Sequence, residues 1–281
     1  MKLAYFSGCK IPFYMKDYDL SFRAVMQCLD VELVEPAFNC CGNPARNDNF
    51  EVSVLSAVKN MALAQTCGLD IITPCKCCFG QFKHADYWYR TNPPLKERID
   101  GLLTRENLAW NGETRVKHLL LFLKEDVGLD RLKERMVKKL APKKIAVQYG
   151  CHALRPFSVT GFENPFSPRI FEQVLALTGV RPVEWSKRTE CCGNPIQGIQ
   201  KELSLKIVKN KFDTAKQAGA DYICTACTHC QMQYETARSE MGITGKALDT
   251  LLFTQIIGAA LGVEEQALSE TGRLQGGLFH G

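Results

Sequence analysis

Several features that would settle function early are missing from this chain of 281 residues. There is no G-x-G-x-x-G and no Walker sequence, so a nucleotide site has no support and any flavin would belong to a partner. There is no basic run and no basic stripe interleaved with aromatics. The formal charge is only +5, with 35 Lys and Arg mixed among 30 Asp and Glu, which argues against nucleic-acid binding. The most apolar late stretch, 248–261, is interrupted by Asp249, Thr254 and Gln255 and is too short and too polar to span a bilayer. The opening segment MKLAYFSGCKIPF has only a short apolar run. A cleaved leader would carry Cys9 away with it, so this segment is expected to be mature sequence. The serines and carboxylates form no catalytic pattern.

Cysteine is what the chain has in abundance, at 14 residues. Hydrophobic residues at 46% and charged residues at 23% describe a soluble globular protein with a core that folds without disulfide staples. With no secretory signal, a reducing, cytoplasmic setting is expected, and there thiols read as metal ligands before they read as disulfides. Their order supports this. Cys9 is followed by Cys40-Cys41 in CCGNP and then by Cys75 and Cys78. Cys151 is followed by Cys191-Cys192, again in CCGNP, and then by Cys227 and Cys230.

Between these landmarks the chain alternates strand and helix patterns. Strands are expected at 2–7, 31–35 and 70–73, and helices at 19–29 and 50–66. Asn92-Pro93-Pro94 reads as a break, followed by two amphipathic helices at 115–126 and 129–140. Ala141-Pro142 closes this segment, and from Lys144 the pattern restarts: KIAVQYGC parallels KLAYFSGC, and DYICTACTHC parallels DIITPCKCC. The expected architecture is α/β, with two repeated Rossmann-like βαβ units related by a pseudo-twofold axis. The units would span 1–142 and 143–281. In parallel sheets of this kind ligands sit beyond the carboxyl ends of strands, where Cys9 and Cys75 fall.

Zinc takes four ligands in a closed tetrahedron. A single cysteine, a vicinal pair and a C-x-x-C suit it poorly, because adjacent sulfurs cannot easily reach one small ion, whereas they can reach two irons of a larger cluster. The repeated C…CCG…C-x-x-C pattern, with the late FTQ-x-x-G-x-A-L-G segment, resembles the cysteine-rich CCG domain. Its two-copy form resembles the B-type subunit of heterodisulfide reductases over nearly the whole chain. The resemblance implies two non-cubane [4Fe-4S] clusters, one on Cys9, Cys40, Cys41, Cys75 and Cys78, the other on Cys151, Cys191, Cys192, Cys227 and Cys230. It also implies a disulfide or sulfane-sulfur substrate split between them. Electrons would come from a ferredoxin-like C-type subunit fed by a flavin-containing A-type subunit. Related B-like proteins serve other complexes, so the resemblance specifies cofactor type more closely than substrate.

A second reading is a CCG-type electron-transfer subunit of a lactate, glycolate or glycerol-3-phosphate dehydrogenase or of a quinone reductase. A zinc-stabilised interaction module is a third. His152, beside Cys151, is a candidate proton donor to a departing thiolate or a hydrogen-bond partner of a cluster sulfur. Cys77 and Cys224 are either spare ligands, redox-active thiols or small residues beside a cluster. Cys28 and Cys67 are expected in core packing, Lys10, Lys76 and His229 as electrostatic background, and Tyr87, Trp88 and Tyr89 as core or interface aromatics.

Overall fold

The chain is described by a computed structural model over residues 1–242 and 248–270. The end of the second expected unit, 271–281, lies outside the described residues. Strands β1 (Lys2–Tyr5), β2 (Glu32–Val34), β3 (Ile71–Thr73) and β4 (Val116–His118) form one sheet in the order β2-β1-β3-β4. Strands β5 (Lys144–Gln148), β6 (Arg181–Val183), β7 (Tyr222–Thr225) and β8 (Asp249–Leu252) form another in the order β6-β5-β7-β8. Every pairing is parallel. The expected doubly wound α/β unit is present twice.

Helices α1 (Ile11–Tyr14) and α2 (Lys16–Cys28) follow β1, and α3 (Phe50–Thr66) follows β2. Helices α4 (Lys76–Thr91) and α5 (Pro93–Arg105) follow β3, then α6 (Leu119–Phe122) and α7 (Leu129–Arg135) follow β4. In the second half α8 (Phe157–Thr160) and α9 (Ile170–Ala176) follow β5, and α10 (Lys201–Gln217) follows β6. Finally, α11 (Thr228–Glu240) follows β7, with α12 (Phe253–Ala260) and α13 (Glu265–Leu268) after β8. The long helix at 50–66 is the one its periodicity predicts, started by the Asn49 side chain accepting from Val52 N at 3.0 Å.

The break expected at Asn92-Pro93-Pro94 separates α4 from α5: the Asn92 side chain accepts from Leu95 N at 3.2 Å, and the two prolines sit in the first turn of α5, where no N–H is needed. Two expectations for 115–140 need correction. The segment 115–126 is not one helix. Val116 and His118 point inward from β4 before α6 begins, and a three-residue strand joined to an unbroken apolar run leaves no period to read. The helix expected at 129–140 stops at Arg135. Val137 N and Lys138 N donate instead to the carbonyl of Ala260, both at 3.0 Å, so a tertiary partner displaces the next helical turn.

Those bonds belong to a reciprocal exchange between the halves. Helix α12, which follows the fourth strand of the second sheet, packs with α13 against α2 of the first half. Helix α6, which follows the fourth strand of the first sheet, packs against α9 of the second half. The first seam is dressed by buried Ser21 and Thr254, whose hydroxyls lie 2.6 Å apart. Each half therefore completes the other's core, and residues from both contribute to one apolar cluster. Ile257, fully buried in α12, tests this interlock. Ile257→Ala is expected to cost about 2–5 kcal/mol and to raise native-state hydrogen exchange in β1 and β5 together. Faster exchange in the second sheet alone would contradict it.

Candidate metal centre between the two halves

Strand ends deliver the thiols. Cys9 and Cys151 follow β1 and β5, the vicinal pairs follow β2 and β6, and Cys75 and Cys227 follow β3 and β7. All ten lie at the carboxyl edges where parallel sheets hold ligands. After each vicinal pair the chain turns through a left-handed glycine, Gly42 at φ 86° and Gly193 at φ 87°, a conformation other residues rarely adopt. A short 3-10 turn follows each, at Asn43–Arg46 and Asn194–Ile196. The same brace supports both loops: Gln81 Nε2 donates to Ser53 Oγ at 2.8 Å and Gln233 Nε2 to Ser204 Oγ at 2.8 Å.

The sulfurs form two chains of contacts. Cys40 meets Cys9 at 3.8 Å and also meets Cys41, which meets Cys78, which meets Cys75. Cys151 meets Cys191, then follow Cys192, Cys230 and Cys227 in the same order. The two chains join where Cys75 meets Cys227, and Cys75 Sγ also lies 3.0 Å from Thr228 Oγ1.

Crowding decides their protonation. Hydrogen bonds from Cys41 and then Cys9 pull Cys40 down to about 2, and those from Cys151 and then Cys192 pull Cys191 down to about 2. The donors move the opposite way: Cys9, Cys41 and Cys151 rise, and Cys192 rises to about 12, each chiefly because it donates to its neighbour. The ten thiols cannot all ionise side by side unless a positively charged body joins them. Among the described residues, no three His, Cys, Asp or Glu side chains converge on a point that would hold a single metal ion. An all-sulfur set drawn out along a line fits an iron–sulfur group better than a lone zinc.

The third residue of each C-x-x-C crosses to the other half. Cys77 is buried, with its Sγ 3.7 Å from His152 Nδ1, and it feels the charge of Cys227 and Cys151. His229 crosses the opposite way, towards Cys40 and Cys75. His152 Nε2 lies 3.5 Å from Arg46 Nη1, which can only donate, so the ring proton sits on Nδ1 facing Cys77. Burial first, then Arg46, holds His152 below its usual range, and the ring is neutral at neutral pH. The backbone of His152 presses on α4 at Gly80, where an added Cβ would stand 2.5 Å from its carbonyl oxygen.

A cavity of about 220 Å³ opens at this junction, walled by Asn43, Cys77, His152, Asn194 and His229 among others. A larger open cleft of about 460 Å³ lies at the amino ends of the strands beside Lys2, Asp70 and Arg115 and carries no cysteine. Chemistry assigns the site to the smaller one.

Two residues that sequence patterns did not single out, His118 and Lys211, shape the junction together with Lys76. His118 Nε2 is shared between the carbonyls of Pro74 at 2.8 Å and Ala226 at 3.1 Å, the residues preceding Cys75 and Cys227, while its Nδ1 accepts from Leu120 N at 3.1 Å. One buried imidazole thus ties both knuckles. Lys76, expected as electrostatic background, is fully buried: its ammonium donates to Gln148 O at 3.3 Å and lies over Phe171 at 4.2 Å and Tyr149 at 4.7 Å. Lys211, also buried, donates to Lys187 O at 2.6 Å and Gln148 Oε1 at 3.2 Å. Of the other flagged residues, Lys10 is half-buried over Tyr14 and Cys224 is buried within β7. Cys28 is half-buried, whereas Cys67 is exposed at the end of α3 and does not pack in the core. Tyr89 is buried, while Tyr87 and Trp88 are exposed.

Burial holds His118 down at about 3 against an ordinary 6.5. Between those values the unfolded chain binds a proton that the folded chain refuses, so stability is lost as pH falls through that window. His118→Gln is expected to flatten this acid-induced loss in denaturation curves taken from pH 7 to pH 4, and an unchanged slope would contradict it. Gly80→Ala is expected to cost about 1–3 kcal/mol by forcing His152 and α4 apart, read by chemical denaturation.

Several known proteins are similar to this chain over nearly its whole length. A protein of Archaeoglobus profundus named as like the B-type subunit of heterodisulfide reductase is 29% identical, covering 96% of this chain and 93% of its own. The B-type subunit of a ferredoxin/F(420)H(2)-dependent CoB-CoM heterodisulfide reductase of Methanosarcina acetivorans is 26% identical, covering 95% and 91%. The membrane anchor subunit of an 8-methylmenaquinol:fumarate reductase of Wolinella succinogenes is 28% identical, covering 95% and 94%. No helix among the described residues of this chain is long and apolar enough to cross a membrane. The CCG cysteine-rich domain matches residues 3–83 and again 145–235, and the chain belongs to that family, carrying its domain twice.

Proposed function

We propose that the chain is the B-type iron–sulfur subunit of a heterodisulfide reductase or a complex resembling one, and that it cleaves or forms a sulfur–sulfur bond between two non-cubane [4Fe-4S] clusters. One cluster would be held by Cys9, Cys40, Cys41, Cys75 and Cys78, and the other by Cys151, Cys191, Cys192, Cys227 and Cys230. The observation that carries this reading is the meeting of two five-thiol chains at Cys75 and Cys227, beside a cavity walled by both halves. The names of the Archaeoglobus and Methanosarcina relatives support it. Iron accepts both an electron and a sulfur ligand, which redox-inert zinc does not.

Opening a disulfide consumes two electrons and two protons and yields two thiols. The electrons would come from a ferredoxin-like C-type subunit supplied by a flavin-containing A-type subunit. The chain's own residues manage the protons. His152 holds one at Nδ1 facing the cavity wall and, when Arg46 yields Nε2 to water, can take up another there as it gives up the first, which makes it a relay. Asn43 and Asn194, which follow Gly42 and Gly193, stand at equivalent places in the cavity wall and offer amides to a polar substrate. The Wolinella relative favours a second reading, an electron-transfer subunit that passes electrons to or from a quinone.

Anaerobically purified protein is expected to hold about eight irons per chain, four for each cluster. Cys78→Ser and Cys230→Ser should each lose about half of that. Zinc with little iron would contradict the assignment. His152→Asn is expected to keep the iron and slow thiol release by about 10²–10⁴-fold; an unchanged rate would remove His152 from the reaction.

A further inference from the structure

The two sulfur sets occupy equivalent places in the two halves, but their surroundings are not equivalent. Phe6 and Gln148 hold the same place ahead of Cys9 and Cys151, and Phe82 and Tyr234 the same place after Cys78 and Cys230. Asn60 and Lys211 stand at matching positions of α3 and α10, and Thr228 and Lys76 each follow the first cysteine of a knuckle. Beside the first set these positions carry no charge. Phe6 packs on Phe82 at 4.8 Å and on Phe38 at 5.3 Å, and Asn60 spends its amide on the carbonyls of Asn39 at 3.3 Å and Cys40 at 3.1 Å.

Beside the second set the environment is cationic. Gln148 anchors Lys76 through its backbone carbonyl and Lys211 through its side chain. Lys76 crosses from the first half to a place where the charges of Cys230 and then Cys227 oppose the effect of its burial, and Cys230 is the thiol that does so most for buried Lys211. The nearby carboxylates already have partners: Glu172 has Arg188 at 3.0 Å and Tyr149 Oη at 2.5 Å, and Glu190 has Lys187 at 3.2 Å. Tyr234 is fully buried, its hydroxyl has no hydrogen-bond partner, and Cys230 and Cys192 are the thiols whose charge it feels most. An orphaned donor in that place calls for an acceptor absent from the polypeptide. On the first side Lys10 acts on Cys9 but is half-buried and screened by water, and the groups that cross to this set are the Thr228 hydroxyl, 3.0 Å from Cys75 Sγ, and the ring of His229 near Cys40 and Cys75.

We infer that the second sulfur set holds the higher-potential cluster of the two, and that Lys76, Lys211 and Tyr234 give the pair its polarity, so that electrons entering the chain settle first in the second half. This rests on the two-cluster reading above. Reduction adds negative charge, and buried cations and a hydrogen-bond donor stabilise the reduced form, whereas phenylalanine rings offer it nothing.

The test is potentiometry of the anaerobically purified full chain, followed by EPR, with Tyr234→Phe and Lys211→Asn, each of which installs the residue of the first half. Two resolved midpoints are expected. Both variants should lower the higher one, Lys211→Asn by at least a tenfold loss of electron affinity, about 59 mV for one electron, and leave the lower one in place. The midpoint that moves should be the one missing from Cys230→Ser and present in Cys78→Ser. Tyr234→Phe removes only an unpartnered hydroxyl, so it reads out even if Lys211→Asn fails to fold. A shift of the lower midpoint, or no shift in Tyr234→Phe, overturns the inference while leaving about eight irons per chain. A preparation with one cluster overturns the two-cluster reading, and the inference with it.

Discussion

Everything in this structure depends on one electrostatic constraint. Ten thiols are drawn to a single seam, where Cys75 of one half touches Cys227 of the other. Left to themselves they must share protons, with Cys40 and Cys191 ionised at the expense of their neighbours. Such crowding is unfavourable for a bare polypeptide and natural for one that wraps a positively charged inorganic core. The surrounding fold holds that seam closed. His118 ties the backbone ahead of both knuckles, the α2–α12 and α6–α9 exchanges lock the halves, and Gly80 lets the His152 loop lie directly on α4.

The duplication supplies more than two copies of a binding loop. Because the third residue of each knuckle crosses the seam, each half contributes to the surroundings of the other's thiols: Cys77 reaches towards Cys151 and His152, and His229 towards Cys40 and Cys75. A single unit of this kind would present an open sulfur set to solvent. Two facing units enclose a cavity walled by residues of both.

Much of this was legible in the sequence, because the signals were local. The repeated CCGNP loops and C-x-x-C knuckles, the long helix at 50–66 and the strand that delivers Cys75 all announce themselves by spacing. The short strand β4 was not legible, since Val116 and His118 offer one alternation before the apolar run of α6. The early end of α7 was set by a carbonyl far along the chain, at Ala260. Lys76 looked like a background charge because burial under Tyr149 and Phe171 is a tertiary fact. Lys211 and Tyr234 sit in ordinary helical patterns, and only their counterparts Asn60 and Phe82, once the halves are overlaid, mark them as departures. An internal alignment residue by residue, carried beyond the cysteines, would have flagged both.

The central claim is that the two sulfur sets face one shared place for a disulfide, and that they are not a relay. The most direct measurement is the EPR spectrum of the anaerobically reduced protein before and after addition of a disulfide made from two different thiols. The account predicts that signals from both clusters change together, saturating at one disulfide per chain. Spectra that do not respond to the disulfide, while the clusters still exchange electrons with a quinone, would contradict it.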